Sequence, residues 1–318
     1  MRARIGDRNV DISFDGEEFR SRSVLPVRPV GREVGVVSRG SLEYPLLLNK
    51  IPDAPNRLYF LGDYRESLFK NTLAVVGSRA VTMYGEWVIK NIVKEVARHG
   101  VTIVSGFMYG VDALAHRAAL EVEGLTVAVM AGGIDYIIPK YQEQLYLDIA
   151  EKGLVISEFY ENYELGEWMF AKRNRIVAGL SYAVLVVEAA EGSGSLITAN
   201  YAKQYGRQLL TVPANLNSGN AFGTTQLLKD GAKMVTCAND ILELYSINYR
   251  YDVSSAVNKR LLLENNPKKI MDLLCLEPLS ADEISSKINA SSADVLKCLT
   301  GLSLIGQVCE KEGRYYVS

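Results

Sequence analysis

A glycine-serine turn at Gly192–Ser195 follows an apolar run and precedes a helical pattern. The run Ala183–Val187 predicts a buried strand, and residues 196–205 predict a helix. Backbone N–H groups and small hydroxyls at the N-terminus of a helix bind phosphate well. Arg173 and Arg175 lie just upstream on a predicted short helix and supply positive charge. The stretch is therefore a candidate anion site, although many such turns in α/β proteins bind nothing.

Short apolar strands alternate with helices from about residue 72 onwards, which predicts a parallel sheet covered by helices on both faces. Right-handed crossovers place every strand-to-helix turn at one edge of such a sheet, so the turns at 77–79, 105–106, 132–133 and 192–195 should converge. Their glycines permit close approach by a ligand, and Arg79 can neutralise a phosphate, with a surface turn as the alternative. The predicted strands are Leu73–Val76, Val101–Ser105, Thr126–Met130, Leu154–Ser157, Ala183–Val187, Gln208–Val212 and Lys233–Val235.

The helices of this segment carry few groups suited to catalysis. A helix is predicted for Tyr84–His99, and Asp112 is expected to cap a second helix that ends at Leu120. His116 on that second helix is expected to be a packed residue rather than a base. Several acidic residues end near the same edge of the sheet, but nothing in the sequence pairs them at a working distance. We therefore expect a binding protein with no catalytic residues.

Composition limits the class of protein further. The 318 residues are 48% hydrophobic and carry a net charge of -2, so any nucleic-acid binding must come from a local patch. No GxGxxG or GxxxxGK[ST] motif occurs, and no apolar run reaches the length of a membrane span. We expect a cytoplasmic protein without cofactor or membrane contact. Neither metal nor disulfide is expected, because there are two histidines and the cysteines form no CxxC pair: Cys237, Cys275, Cys298 and Cys309.

Seven segments of the chain, between about residues 44 and 245, resemble the DNA-processing protein A family, also called DprA or Smf. The pairing of RNRIxAGLS and SGSLITA with a GSR turn is more specific than a generic Rossmann feature. The matching segments are VVGSRAVTMYG (75–85), SGFMYGVDALAHRAAL (105–120), AGGIDYIIP (131–139), SEF (157–159), FAKRNRIVAGLS (170–181), VVEAAEGSGSLITANYA (186–202) and GRQLLTVPA (206–214).

This resemblance implies a bacterial protein with an extended Rossmann-like fold that binds single-stranded DNA. It also implies homodimers, protection of incoming DNA and loading of RecA recombinase in natural transformation. The family's DNA groove corresponds here to Arg79, Arg173, Arg175 and the turn 193–195. Phe170 matches an aromatic residue beside that groove, where it either stacks on a base or anchors the loop as a core residue.

The candidate DNA- and phosphate-binding residues are small, cationic or aromatic and lie at or near the predicted turns. Lys140 and Lys172 are included, with a solvated surface position as the alternative for each. The full set is Gly77, Ser78, Arg79, Ser105, Gly106, Lys140, Phe170, Lys172, Arg173, Arg175, Ser193, Gly194, Ser195 and Thr198.

The sequence also departs from the family pattern. Pro213 is followed by Ala214 where the family usually has glycine, and Glu164 and Glu167 lie in a loop that is often more basic. A nucleotide sensor or a phosphoribohydrolase-like enzyme acting on a small nucleotide is the alternative function. Related phosphoribohydrolases have a similar sheet, but their PGGxGTxxE signature is missing here.

The chain is expected to have an α/β fold, with an extended Rossmann-like parallel or mixed sheet and a small C-terminal winged-helix domain. The predicted domains are an N-terminal extension and docking segment at 1–66, a Rossmann-like DNA-binding domain at 67–245, a linker at 246–258 and a winged-helix domain at 259–318. Within the extension, Asn9–Phe14 and Glu33–Ser38 allow a small strand pair. The last domain should contain three helices and a hairpin, and its third helix offers only Lys297, so DNA and protein both remain possible partners for it.

Overall fold

A computed structural model describes residues 2–5, 8–11, 33–137, 139–160, 166–247, 265–311 and 313–317. The chain divides into two compact units, Met1–Tyr249 and Arg250–Ser318. From residue 248 onwards, the predicted linker at 246–258 lies outside the described residues, as does Glu164. The finer domain boundaries stay predictions.

The first unit is built on a nine-stranded sheet, which confirms the predicted Rossmann-like α/β fold. Seven neighbouring strands are parallel, and two antiparallel strands extend one edge. In spatial order the strands are Lys233–Met234 (β11), Gln208–Thr211 (β10), Ala183–Val186 (β9), Thr72–Val76 (β5), Thr102–Gly106 (β6), Thr126–Val129 (β7), Leu154–Ser157 (β8), Arg57–Gly62 (β4) and Gly35–Ser38 (β3). Arg2–Ile5 (β1) and Arg8–Asp11 (β2) form a separate antiparallel pair.

Helices cover both faces of this sheet. Successive residues of the central strand β5 point to opposite faces and are apolar, so both faces must be buried. Leu73 and Val75 pack in one hydrophobic cluster, and Ala74 and Val76 pack in another. The helices are Leu46–Asn49 (α1), Met83–Val88 (α2), Lys94–Arg98 (α3), Val111–Leu120 (α4), Glu143–Lys152 (α5), Glu167–Leu180 (α6), Ser195–Gln204 (α7), Phe222–Lys229 (α8) and Asn239–Leu242 (α9), with a π-helical turn at Ile89–Val93 and 3-10 turns at Glu66–Phe69, Lys140–Gln142, Gly219–Ala221 and Glu243–Tyr245.

Three local expectations differ from the structure. Strands β3 and β4 belong to the main sheet, where β3 pairs with β4, and the described residues 9–11 pair with β1 and not with β3. The prolines of the 44–62 segment precede β4 and leave its backbone free to pair. The helix that carries Arg173 is longer than expected, at 14 residues. Asp112 does not cap α4, because the N-cap position is Gly110.

The described part of the second unit contains three helices followed by a hairpin. These elements are Asn265–Leu274 (α10), Ala281–Ile288 (α11), Ser292–Leu304 (α12), Val308–Lys311 (β12) and Arg314–Val317 (β13), and the two strands pair antiparallel. Helix α11 begins with a capping box, in which the Ser280 N–H donates to Glu283 and the Glu283 N–H donates to the Ser280 hydroxyl. The unit has its own apolar core, which includes Ile270, Ile284 and Leu299. Its assignment as a winged helix stays a prediction.

Candidate phosphate-binding site

A cavity of about 310 Å³ lies where strands β5, β6 and β9 end and helices α4 and α7 begin. Arg79, Gly106 and Ser195 line it, so three of the four turns that the sequence places at one edge of the sheet converge here, whereas the turn at 132–133 does not line the cavity. The sequence-predicted residues that line the cavity are Gly77, Ser78, Arg79, Gly106, Phe170, Arg173, Ser193, Gly194, Ser195 and Thr198.

The Arg79 side chain is positioned by two aromatic rings. Its guanidinium carbon lies 5.7 Å from the ring centre of Tyr109 and 5.9 Å from that of Phe170. Both distances are within the range of cation–π attraction. The turn below depends on Gly110, whose φ is +83° and where a Cβ would lie 2.5 Å from the carbonyl oxygens of Ser78 and Arg79. Only glycine lets α4 begin so close to this turn.

Arg173 is a buried cation beside a carboxylate. Its side chain comes from α6, and its guanidinium donates to the Val129 carbonyl. Burial lowers the pKa of Arg173 to about 10 and the nearby Asp112 opposes this shift, so Arg173 remains charged at neutral pH. Burial raises the pKa of Asp112, whereas Arg173 acts to lower it. A Cβ on Gly106 would lie 2.5 Å from Arg173 Nη2 and closer still to Asp112 Oδ2. Both side chains therefore pack directly against the backbone of Gly106.

Hydroxyl groups dominate the serine turn before α7. The hydroxyl oxygens of Ser193 and Ser195 are 2.8 Å apart. The backbone N–H groups of Ser193, Leu196 and Ile197 already donate to carbonyls of the same turn. These three N–H groups are therefore not free to bind a ligand. Thr198 as a whole residue is 1% exposed, and its hydroxyl has no hydrogen-bond partner among the described residues.

The sequence analysis did not identify Asn174 as a site residue. Its amide donates to the Gly194 carbonyl at 3.2 Å, and its side-chain oxygen accepts from Arg173 Nε at 3.2 Å. Asn174 therefore ties the arginine-bearing helix to the serine turn. The feature of the sequence that could have identified Asn174 is its position between the two arginines of the RNR motif. Other lining residues missed from the sequence are Met108, Tyr109, Asp112 and Glu191.

Arg175 lies away from the cavity, contrary to expectation. Two residues along an α-helix correspond to a rotation of roughly 200°, which turns Arg175 to the face opposite Arg173. Its guanidinium donates to both oxygens of Glu158, at 2.7 and 2.6 Å, and to the Asp53 carbonyl at 2.7 Å. Arg175 stabilises the fold through these bonds and does not face a ligand in the cavity.

Three further predicted residues do not line the cavity. Ser105 is fully buried, and its hydroxyl donates to the Val75 carbonyl at 2.6 Å. Lys172 Nζ lies 3.3 Å from a carboxylate oxygen of Glu158, which agrees with the alternative interpretation of Lys172 as a surface cation. Lys140 is exposed on a 3-10 turn.

Phe170 occupies a core position. Its side chain is 6% exposed and packs in a cluster with Met108 and Ala131. Of its two interpretations, the structure favours the residue that anchors the loop, because little of the ring is accessible to a base. The ring still forms part of the cavity wall and supports Arg79.

His116 lies beneath the end of β6 and is neutral. Because the Gly106 carbonyl can only accept, Nε2 must carry the proton of this 2.7 Å bond. In the neutral ring Nδ1 is then the acceptor, and it lies 2.7 Å from the Thr126 hydroxyl, for whose single proton it competes with the Ile103 carbonyl at 3.0 Å. Burial is the main reason that the pKa of His116 falls to about 4. Both ring nitrogens are therefore engaged, which agrees with the expected packed residue.

The described ranges contain neither a candidate metal site nor a candidate membrane span. There, no group of three or more His, Cys, Asp or Glu side chains could hold a metal ion. No helix within those ranges is both long enough and apolar enough to cross a membrane.

Comparison with known proteins identifies the family. The model of the DNA recombination-mediator protein A family matches residues 35–246. Protein Smf of Synechocystis sp. is 34% identical over 308 residues, covering 86% of this chain and 77% of that protein.

Two solved structures share the fold. DNA processing protein A (DprA) of Streptococcus pneumoniae aligns with a TM-score of 0.64 and 35% identity, over 69% of this chain and 76% of that one. DNA processing protein A of Helicobacter pylori, described with a single-stranded DNA binding mode, aligns with a TM-score of 0.61 and 29% identity, over 68% of this chain and 98% of that one. The chain therefore belongs to the DNA recombination-mediator protein A family.

Proposed function

We propose that the chain binds single-stranded DNA by holding a backbone phosphate in the cavity. The observation that carries this proposal is the convergence of Arg79, Arg173 and the serine hydroxyls of the 193–195 turn on one cavity. Guanidinium groups and hydroxyls suit phosphate oxygens and contact no base edge, so binding should depend little on sequence. The single-stranded DNA binding mode described for the H. pylori relative supports this choice of ligand.

Binding without bond chemistry is the second part of the proposal. The groups at or beside the cavity that could act as acid or base are Asp112, which faces Arg173, Glu191, which is exposed to solvent, and His116, whose two ring nitrogens are engaged. None of the three is poised to accept a proton from a substrate. This arrangement favours a binding protein over the phosphoribohydrolase-like alternative.

The cellular role is inferred from the family alone. We infer that the protein acts in the cytoplasm as a homodimer, protects incoming DNA and loads RecA recombinase on it during natural transformation. Membership of the family supports this role.

Replacing Arg79 tests the DNA site. In Arg79→Ala the cavity loses a half-buried guanidinium. Affinity for a single-stranded oligonucleotide should therefore fall roughly 10- to 100-fold, because a charge-assisted hydrogen bond contributes about 1.5–3 kcal/mol. The slope of log K against log salt concentration should become less negative by about 0.7, because one phosphate contact is lost. Fluorescence anisotropy at several salt concentrations measures both quantities.

Arg117→Ala is the matched control, because Arg117 is exposed on α4 and does not line the cavity. This variant should bind like the parent protein. If Arg79→Ala binds single-stranded DNA as tightly as Arg117→Ala at every salt concentration, the cavity is not the DNA site.

A further inference from the structure

We propose that the cavity is selective for a terminal phosphate monoester, the phosphorylated end of a strand or a free mononucleotide, and that the Thr198 hydroxyl donates to it. This inference rests on the proposed function, since it specifies which phosphate the same cavity holds best.

The cavity is small. At about 310 Å³ the cavity is at the lower end of the range for ligand pockets, roughly 300–1,000 Å³. Such a volume suits one nucleotide unit and not a run of several. A single nucleotide, at the end of a strand or free in solution, is therefore enough to fill it.

The Thr198 hydroxyl is the second argument. Burying a hydroxyl without a partner is unfavourable, and such groups are rare in folded proteins. Thr198 lies three residues after Ser195 on α7, which places both on one face of the helix, and both line the cavity. An oxygen atom of a bound ligand is the partner that this hydroxyl lacks.

The number of donors is the third argument. The hydroxyls of Ser193, Ser195 and Thr198 and the guanidiniums of Arg79 and Arg173 surround the cavity. A phosphate monoester presents three free oxygens and a charge of about -1.5 to -2, whereas a backbone diester presents two free oxygens and a single charge. The monoester uses more of these donors, and two guanidiniums match its charge more closely.

The acidic groups at the cavity do not cancel this preference. Asp112 already faces Arg173, and burial makes its ionised form less favourable. Glu191 lines the cavity but is exposed to solvent, where screening weakens its repulsion. Among the described residues, a Cβ on Gly194 would meet nothing within 4 Å, so a phosphate can approach the turn closely from that side.

The test compares one oligonucleotide sequence carrying a 5′-phosphate, a 3′-phosphate or hydroxyls at both ends, bound to the full chain in anisotropy measurements. We expect one of the phosphorylated strands to bind roughly 10- to 100-fold more tightly than the strand with hydroxyl ends. Competition with thymidine monophosphate, and with thymidine as its control, distinguishes a strand end from a free nucleotide. The monophosphate should displace the strand and thymidine should not.

Thr198→Val removes the proposed donor at nearly constant volume. The ratio of affinities for phosphorylated and unphosphorylated ends should fall towards one in this variant. Because an unpartnered buried hydroxyl is lost, the melting temperature without ligand should rise, by roughly 2–4 °C. Thr211→Val is the matched control: it removes a buried hydroxyl that donates to the Val186 carbonyl at 2.8 Å, away from the cavity, and should keep the ratio of the parent protein.

The outcomes separate the two proposals. Equal affinity for all three strands, with binding that still depends on Arg79, overturns the terminal-phosphate inference and leaves the DNA-binding function intact. No binding of any strand overturns the proposed function. An unchanged end preference in Thr198→Val removes the role assigned to that hydroxyl.

Discussion

At the scale of single residues, the site depends on buried charged and polar groups whose pairing the sequence does not reveal. The motif RNR indicates two cations, yet Arg173 meets Asp112 at the cavity while Arg175 bonds to Glu158 on the opposite side of the helix. The two-residue spacing was a usable signal for this separation, because both positions lie on one helix. The identity of the acidic partners was not predictable, since each comes from a segment distant in sequence.

His116 gives a prediction at the same scale. Its pKa is about 4 in the folded protein, against about 6.5 in an unfolded chain, so the unfolded chain takes up the proton first as the pH falls. The contribution of His116 to stability is complete above pH 6.5 and is lost progressively down to pH 4. Between pH 7 and pH 5 the free energy of unfolding should fall by about 2 kcal/mol from this residue.

The variant His116→Gln carries no such proton and isolates this effect. Urea unfolding at pH 7 and pH 5, followed by tryptophan fluorescence, measures it, because both tryptophans, Trp87 and Trp168, lie in the first unit. The parent protein should lose about 2 kcal/mol more than the variant between the two pH values. Equal losses would show that His116 is not buried as a neutral ring.

At the scale of elements, the sequence predicted the strands of the parallel sheet within one or two residues, because each is a short apolar run. Right-handed crossovers then place the turns after these strands at one edge of the sheet, which explains why the turns 77–79, 105–106, 132–133 and 192–195 were expected together. The place of strand β4 in the sheet could not be predicted in this way. Its pairing with β8 is antiparallel and sets it outside the strand-helix repeat, so the periodic pattern gave no place for it.

Gly106 gives the prediction at this scale. In Gly106→Ala the new methyl group would overlap Arg173 Nη2 and Asp112 Oδ2, so the end of β6 or the charge pair must move. The free energy of unfolding should fall by roughly 1–3 kcal/mol, as for other overpacked sites, and affinity for single-stranded DNA should fall with it. Urea unfolding and anisotropy measure the two effects.

Gly194→Ala is the control for substituting a cavity glycine. Its φ is -60° and its Cβ would meet nothing within 4 Å, so its stability should stay within about 0.5 kcal/mol of the parent protein. The close-approach explanation fails if the two alanine variants unfold at the same urea concentration.

At the scale of the whole molecule, each unit has a hydrophobic core of its own. The clusters of the first unit lie between residues 34 and 247, and the cluster of the second lies between 270 and 315. Every residue that lines the cavity lies between Val76 and Thr198, within the first unit. The sequence indicated this division, because the strand-helix repeat stops near residue 245, but it left open whether the second unit contacts DNA or protein.

The fragment 1–249 resolves that alternative. Since this fragment contains a complete core and the whole cavity, it should fold and bind a single-stranded oligonucleotide within about twofold of the full chain, a difference of roughly 0.4 kcal/mol. The second unit offers little to a nucleic acid in the helix that a winged-helix protein would use, since α12 carries one cation, Lys297, and one acid, Asp294. Anisotropy with single- and double-stranded oligonucleotides measures both forms of the protein. An affinity for either substrate tenfold lower in the fragment would show that residues 250–318 contribute DNA contacts of about 1.4 kcal/mol, and equal affinities would show that they add no DNA contact.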